Sequence, residues 1–153
     1  MPLAITLHLL AAVIWVGGMF FAYLVLRPVA GQLLEPTLRL TLWTQVFKRF
    51  FPWIWLAVLI LLITGFWMTF ELLGGLARVG MHVHLMMTLG ILMMVIFLYI
   101  CYRPLPRLKQ AVEAKNWPQG AHELNLIRKL IGVNLILGIL VVCVAGIGRF
   151  IQV

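Results

Sequence analysis

The sequence is poor in charge, and poorest in acid. Its 153 residues hold 4 acidic side chains against 12 Lys and Arg, and charged residues make up only 10% of the whole. A soluble domain carries about 25% charged residues and about 45–50% apolar ones, whereas this chain is 64% hydrophobic with a mean hydropathy of +1.10. A water-soluble fold is excluded on that ground. There is no Gly-rich phosphate-cradling motif, no nucleophile elbow and no internal repeat, which removes the usual signatures of NTPases, serve-and-release hydrolases and solenoids. The first apolar segment has no basic n-region and no small-residue cleavage site before Arg27, so it is expected to be retained rather than removed as a signal. Cysteine is scarce, with Cys101 and Cys143 alone. They fall near opposite ends of their segments, too far apart in depth for a disulfide or a shared metal.

What is present is four long apolar runs. A bilayer span takes about 20 predominantly apolar residues, and residues 3–26, 52–73, 82–102 and 127–150 meet that length. The expected fold is an all-α integral membrane protein, a single antiparallel four-transmembrane-helix bundle over residues 1–153. Basic residues concentrate between the first and second runs (Arg27, Arg39, Lys48, Arg49) and between the third and fourth (Arg103, Arg107, Lys109, Lys115, Arg128, Lys129). The +8 net charge is therefore a topology signal, not one for nucleic acid. By the positive-inside rule both basic loops face the cytoplasm and both termini lie outside, in a prokaryotic inner membrane. Within the first basic loop, residues 36–50 place Leu38, Leu42, Trp43, Phe47 and Phe50 at mostly helical spacing opposite Arg39, Gln45, Lys48 and Arg49, which predicts an amphipathic helix in the membrane interface. The second basic loop reads as a polar helical extension followed by a turn at "NWPQG".

In this setting the stretch "GMHVHLMM", residues 80–87, places two imidazoles at the mouth of an apolar run. His8 lies about 7 Å into the first helix and His84 about 6 Å into the third, at 1.5 Å per residue, so the two share a depth. His82 and His84 are about 200° apart around a helix, and only one of them can face the bundle interior; the pattern His84, Met87, Gly90 or Ile91 favours His84, with His82 nearer the headgroups. Ionisable groups inside a membrane default to a functional role. Helix 2 offers Phe66, Trp67 and Met68 at this level, and helix 1 offers Trp15 below His8. The eight methionines fit ordinary apolar packing, with Met68 singled out as a candidate soft ligand. His122, after "NWPQG", reads as a solvated histidine, and Asn134 as a polar contact between helices.

Three runs carry a family resemblance. "LHLLAAVIWVGGMFF" resembles the first helix of CopD-like (copper resistance protein D) membrane proteins, "FKRFFPWIWLAVLILLITG" their second and "RKLIGVNLILGILVV" their fourth. The related HemJ-type protoporphyrinogen oxidases pair a helix 1 histidine with a helix 3 His-x-Lys motif, to which His8 and His82 correspond, with His84 standing in place of the lysine. The residues and the resemblance together imply a membrane redox protein binding b-type haem near the outer face. His8 and either His84 or His82 would be axial ligands, Arg78 and Arg149 propionate partners, and Trp15 and Trp67 wall residues. Electron transfer with quinol or a redox protein would follow, with the chain acting as an oxidoreductase. Copper transport or tolerance through His8, His82, His84 and Met68 is the alternative. The others are HemJ-like oxidase activity and a structural subunit. A homodimer is expected, since four spans are few for a transport path.

Overall fold

A computed structural model of the protein describes residues 2–72, 75 and 79–148. Four helices in it are long and apolar enough to cross a membrane. We label them α1 (Pro2–Leu33), α2 (Pro36–Glu71), α3 (Met81–Tyr102) and α5 (Trp117–Ile147), with a short α4 (Pro104–Glu113) between the last two. The helix starts follow local chemistry. Pro36 and Pro104 open α2 and α4, where the missing N–H has no intrahelical partner to lose. The Asn116 side chain caps α5 by accepting a hydrogen bond from the Gln119 N–H. Lys115, at φ 55, makes the reversal before it. "NWPQG" is therefore the start of a helix, and the turn lies just ahead of it.

Residue contacts fix the directions. His8 meets Thr64 and Gly18 meets Phe50, so α1 and α2 run antiparallel. Val16 meets Gly138 and Tyr23 meets Gly132, so α5 also opposes α1, and His82 beside Gly148 sets α3 against α5 in the same way. His8, His82 and His84 thus collect at one end of the bundle and the basic loops at the other. Apolar side chains such as Val13, Leu59, Val95 and Ile136 stay exposed on the flanks, as a lipid-facing surface requires.

The amphipathic stretch at 36–50 does not form a separate helix in the membrane plane. It is continuous with the second span through Pro52, whose ring removes one ladder bond but is exposed, a site that long membrane helices tolerate. Its inward face is also set differently from the spacing argument: Leu40, Trp43, Phe47 and Phe51 are buried, while Leu38 is 58% exposed. Those buried rings begin an aromatic column. Trp43 packs on Phe47 at 5.3 Å, Phe47 on Phe51 at 5.0 Å, Phe51 on Phe97 at 5.3 Å, and Phe97 on Trp15 at 6.2 Å between centroids. Aromatic pairs at such offsets contribute beyond their area, and the column fills the bundle from its basic end up to Trp15. Beside it, buried Asn134 donates through Nδ2 to the Met93 carbonyl at 3.1 Å, tying α5 to α3.

Candidate functional site: a methionine-lined cavity at the histidine end

Above Trp15 the column stops and the bundle opens. A cavity of about 350 Å³ lies between the histidine-end halves of α1, α2, α3 and α5, within the range of small-ligand sites, roughly 300–1,000 Å³. Its walls are almost wholly apolar. The polar side chains among its lining residues are His8 and Thr69, and Met68, Met86, Met87, Met93 and Met94 also line it. Met93 and Met94 lie about 10 Å deeper along α3 than Met86 and Met87, so the upper methionines share the level of His8. Small residues make the room: Ala12, Gly65, Gly90 and Gly138 all line the walls. A Cβ at Gly138 would come within 2.9 Å of Val16 and 3.2 Å of the Met93 methyl.

The chemistry of His8 is set by its neighbour. Its Nδ1 lies 2.8 Å from the Thr64 hydroxyl, and that hydroxyl donates its own proton to the Ile60 carbonyl at 2.6 Å. A hydroxyl has one proton to give. Since Thr64 spends it on Ile60, its oxygen can only accept from His8, which places the imidazole proton on Nδ1. Nε2 then carries the lone pair, the form in which a histidine binds a metal while its other nitrogen is held by a second group. The Cε1 edge rests 3.5 Å from the position a Gly65 Cβ would take, an ordinary van der Waals distance, so the ring lies against α2.

Met68 and Thr69 reach the cavity from a π-helical turn, Met68–Leu72, that ends α2. Such wide turns recur at functional sites because they re-aim side chains. A second one at Phe21–Leu26 interrupts α1 near the basic end.

The structure separates the histidines that the sequence groups. His8, Trp15 and Met68 line one cavity; His84 and His82 do not. His82 turns toward α5 instead, packing so closely on Gly148 that a Cβ there would lie 2.6 Å from the His82 Cβ. Where the sequence suggests His84 facing in and His82 facing the headgroups, the first turn of α3 points His82 at a glycine of the neighbouring helix, and Val83 is on the cavity wall. Trp67 is 62% exposed and faces away, because Phe66 and Met68 take the inward positions on either side of it. Arg78 and Arg149 lie outside the described residues. His122 is exposed on α5, and both cysteines are free, Cys101 half-buried and Cys143 exposed. Among the described residues, no three His, Cys, Asp or Glu side chains come together. The methionines Met86 and Met87 are legible in the sequence as packing residues only; that they line the same cavity as His8 depends on the rotation of α3, which hydropathy does not report.

The comparisons with known proteins agree with this architecture. The family model "Copper resistance protein D" matches residues 44–147. An uncharacterized protein of Aquifex aeolicus (strain VF5) is 31% identical over 132 residues, covering 84% of this chain and 87% of that one. No solved structure matches.

Proposed function

The chain belongs to the copper resistance protein D family, and from that premise we propose that it is a multi-pass membrane protein that takes Cu(I) as its cargo at the histidine end of the bundle. The observation that carries this reading is the donor set. One imidazole, hydrogen-bonded through Nδ1, and five methionines line a cavity with no carboxylate among its described lining residues. Soft thioether ligands select Cu(I) and imidazole also suits copper, whereas Mg, Ca and Mn call for carboxylate, carbonyl and water oxygens. His8 Nε2 and the sulfurs of Met68, Met86 and Met87 would hold the ion, Thr64 would fix the imidazole, and Met93 and Met94 would offer sulfur further along the helix. Thioethers are neutral, so ion and site together carry a single positive charge; a thiolate or carboxylate set would add negative charges to an apolar cavity.

Under the positive-inside rule the cavity lies toward the outer face and the arginine-rich end in the cytoplasm. Copper would then enter from outside. The test is the metal content of the purified protein after growth or reconstitution with copper, compared between the native chain and His8→Ala, whose truncation removes the one nitrogen ligand.

A second reading, b-type haem with electron transfer to or from a quinol or redox protein, rests on one feature: small residues, Ala12, Gly65 and Gly90, line the cavity with His8, and small residues suit the close approach of a macrocycle. Its second axial ligand would be a methionine, the His/Met pairing of some cytochromes, rather than His84 or His82. Purification separates the two readings, since bound haem gives a Soret band and bound Cu(I) is colourless.

A further inference from the structure

At the opposite end of the bundle a second arrangement has donors and no acceptors. Arg128 of α5 lies over the Trp43 ring of α2, with 5.3 Å from its guanidinium carbon to the ring centroid. The Trp43 Nε1 and the Arg128 Nε and Nη2 are buried and make no hydrogen bond to any described residue. Arg27 of α1 stacks on Tyr23 at 4.8 Å and lines, with Trp43 and Arg128, a small cleft of about 10 Å³. The charges of both Arg27 and Arg39 act on Arg128. Arg27 and Arg128, from two helices, therefore flank one cleft with buried N–H groups, and Arg39 of a third helix is near enough for its charge to be felt there. Among the described residues none of them forms an ion pair with an acid: the pairs belong to Glu123, with Arg107 and His122.

Buried donors without partners cost about 1–3 kcal/mol each, more when charged, so a chain that holds three together is completed by an acceptor from outside. Water answers this poorly. One water oxygen accepts two hydrogen bonds and adds two protons that need acceptors of their own, whereas a phosphate oxygen only accepts and supplies the negative charge that three arginines lack. A cleft of this size admits about one such atom, so a single phosphate oxygen would enter while the rest of the group stays at the surface beside Arg27 and Arg39.

The depth suits a headgroup. Arg27 follows His8 by 19 residues, about 28 Å along α1, and Arg128 precedes Gly148 by 20, about 30 Å along α5. That is one hydrocarbon thickness from the histidine end, at the level where lipid phosphates lie. We propose that Arg27, Arg39, Arg128 and Trp43 form a binding site for a phosphate anion at the basic end of the bundle. The site is independent of the copper cavity and of which end faces the cytoplasm.

The test uses the whole protein in a neutral detergent, stripped of lipid, with thermal unfolding followed as ligand is added. One arm adds phosphatidylglycerol, a second adds inorganic phosphate, and phosphatidylcholine and chloride serve as controls for bulk lipid and for ionic strength. Stabilisation that saturates with phosphatidylglycerol alone assigns the anion to a lipid headgroup; saturation with inorganic phosphate as well assigns it to the free anion. Either supports the site, provided that Arg128→Gln and, independently, Arg27→Gln weaken the effect by about tenfold, as expected for loss of a charge-assisted hydrogen bond. Lys115→Gln, in the exposed turn, should leave it unchanged. If Arg128→Gln fails to fold, Arg27→Gln on the more open side of the cleft decides alone. Equal weakening by Lys115→Gln, or no saturable stabilisation in either arm, would overturn the proposal in favour of diffuse electrostatic attraction.

Discussion

His8 and Thr64 are joined across 56 residues of sequence by a single hydrogen bond of 2.8 Å, and that bond decides which nitrogen of the imidazole is free. Replacing Thr64 with valine keeps the volume and removes the acceptor. Ring orientation and tautomer would then be released together, and copper affinity, measured by competition with a Cu(I) chelator, is expected to fall about 10–100-fold, the usual effect of losing a partner behind a metal ligand. Thr64→Ser should restore most of it.

The methionines can be told apart from packing by a substitution that keeps volume. Leu for Met costs under about 1.5 kcal/mol in most cores, so Met68→Leu or the double change of Met86 and Met87 to Leu should leave thermal unfolding nearly unchanged. Copper retention should nevertheless drop, the double variant more than the single. A variant that loses stability and keeps copper would return these residues to gap-filling.

His82 gives the converse. It packs on Gly148 and lies off the cavity, so His82→Ala is expected to loosen the contact between α3 and α5 while keeping the metal, and His84→Ala should likewise keep it. Metal analysis of the two purified variants checks this. Loss of copper from either would place that histidine in the site.

Asn134 tests the middle of the bundle. Its Nδ2 bonds the Met93 carbonyl while its Oδ1 is buried without a partner, so leucine at this position removes one satisfied group and one unsatisfied group together. The expected loss in thermal or denaturant unfolding is below about 2 kcal/mol, the upper range for such contacts in membranes, with copper binding intact.

Much of this architecture is legible in hydropathy, because a chain with 64% apolar residues and four runs of bilayer length has few other folds open to it. His8 was legible as well, being a lone imidazole on an apolar helix. The rest depends on helix rotation, which a uniformly apolar sequence encodes weakly: with no polar face to contrast, His82, Val83 and His84 differ little in what they say about the interior. The inward turn of Met86 and Met87, the outward turn of Trp67 and the π-helical turn that aims Met68 are all decided by packing against other helices. That the amphipathic stretch 36–50 is continuous with the second span is hidden for a related reason. Pro52 reads as a break in sequence, yet an exposed proline bends or interrupts a long helix without ending it.

The measurement that bears most directly on the central claim is the copper content and absorption spectrum of the purified native protein beside His8→Ala, both reconstituted with Cu(I) under reducing conditions. The expected result is a colourless native protein that retains copper after desalting and a folded His8→Ala variant that does not. A native protein that retains no copper, or one that carries a Soret band lost in the same variant, would contradict it.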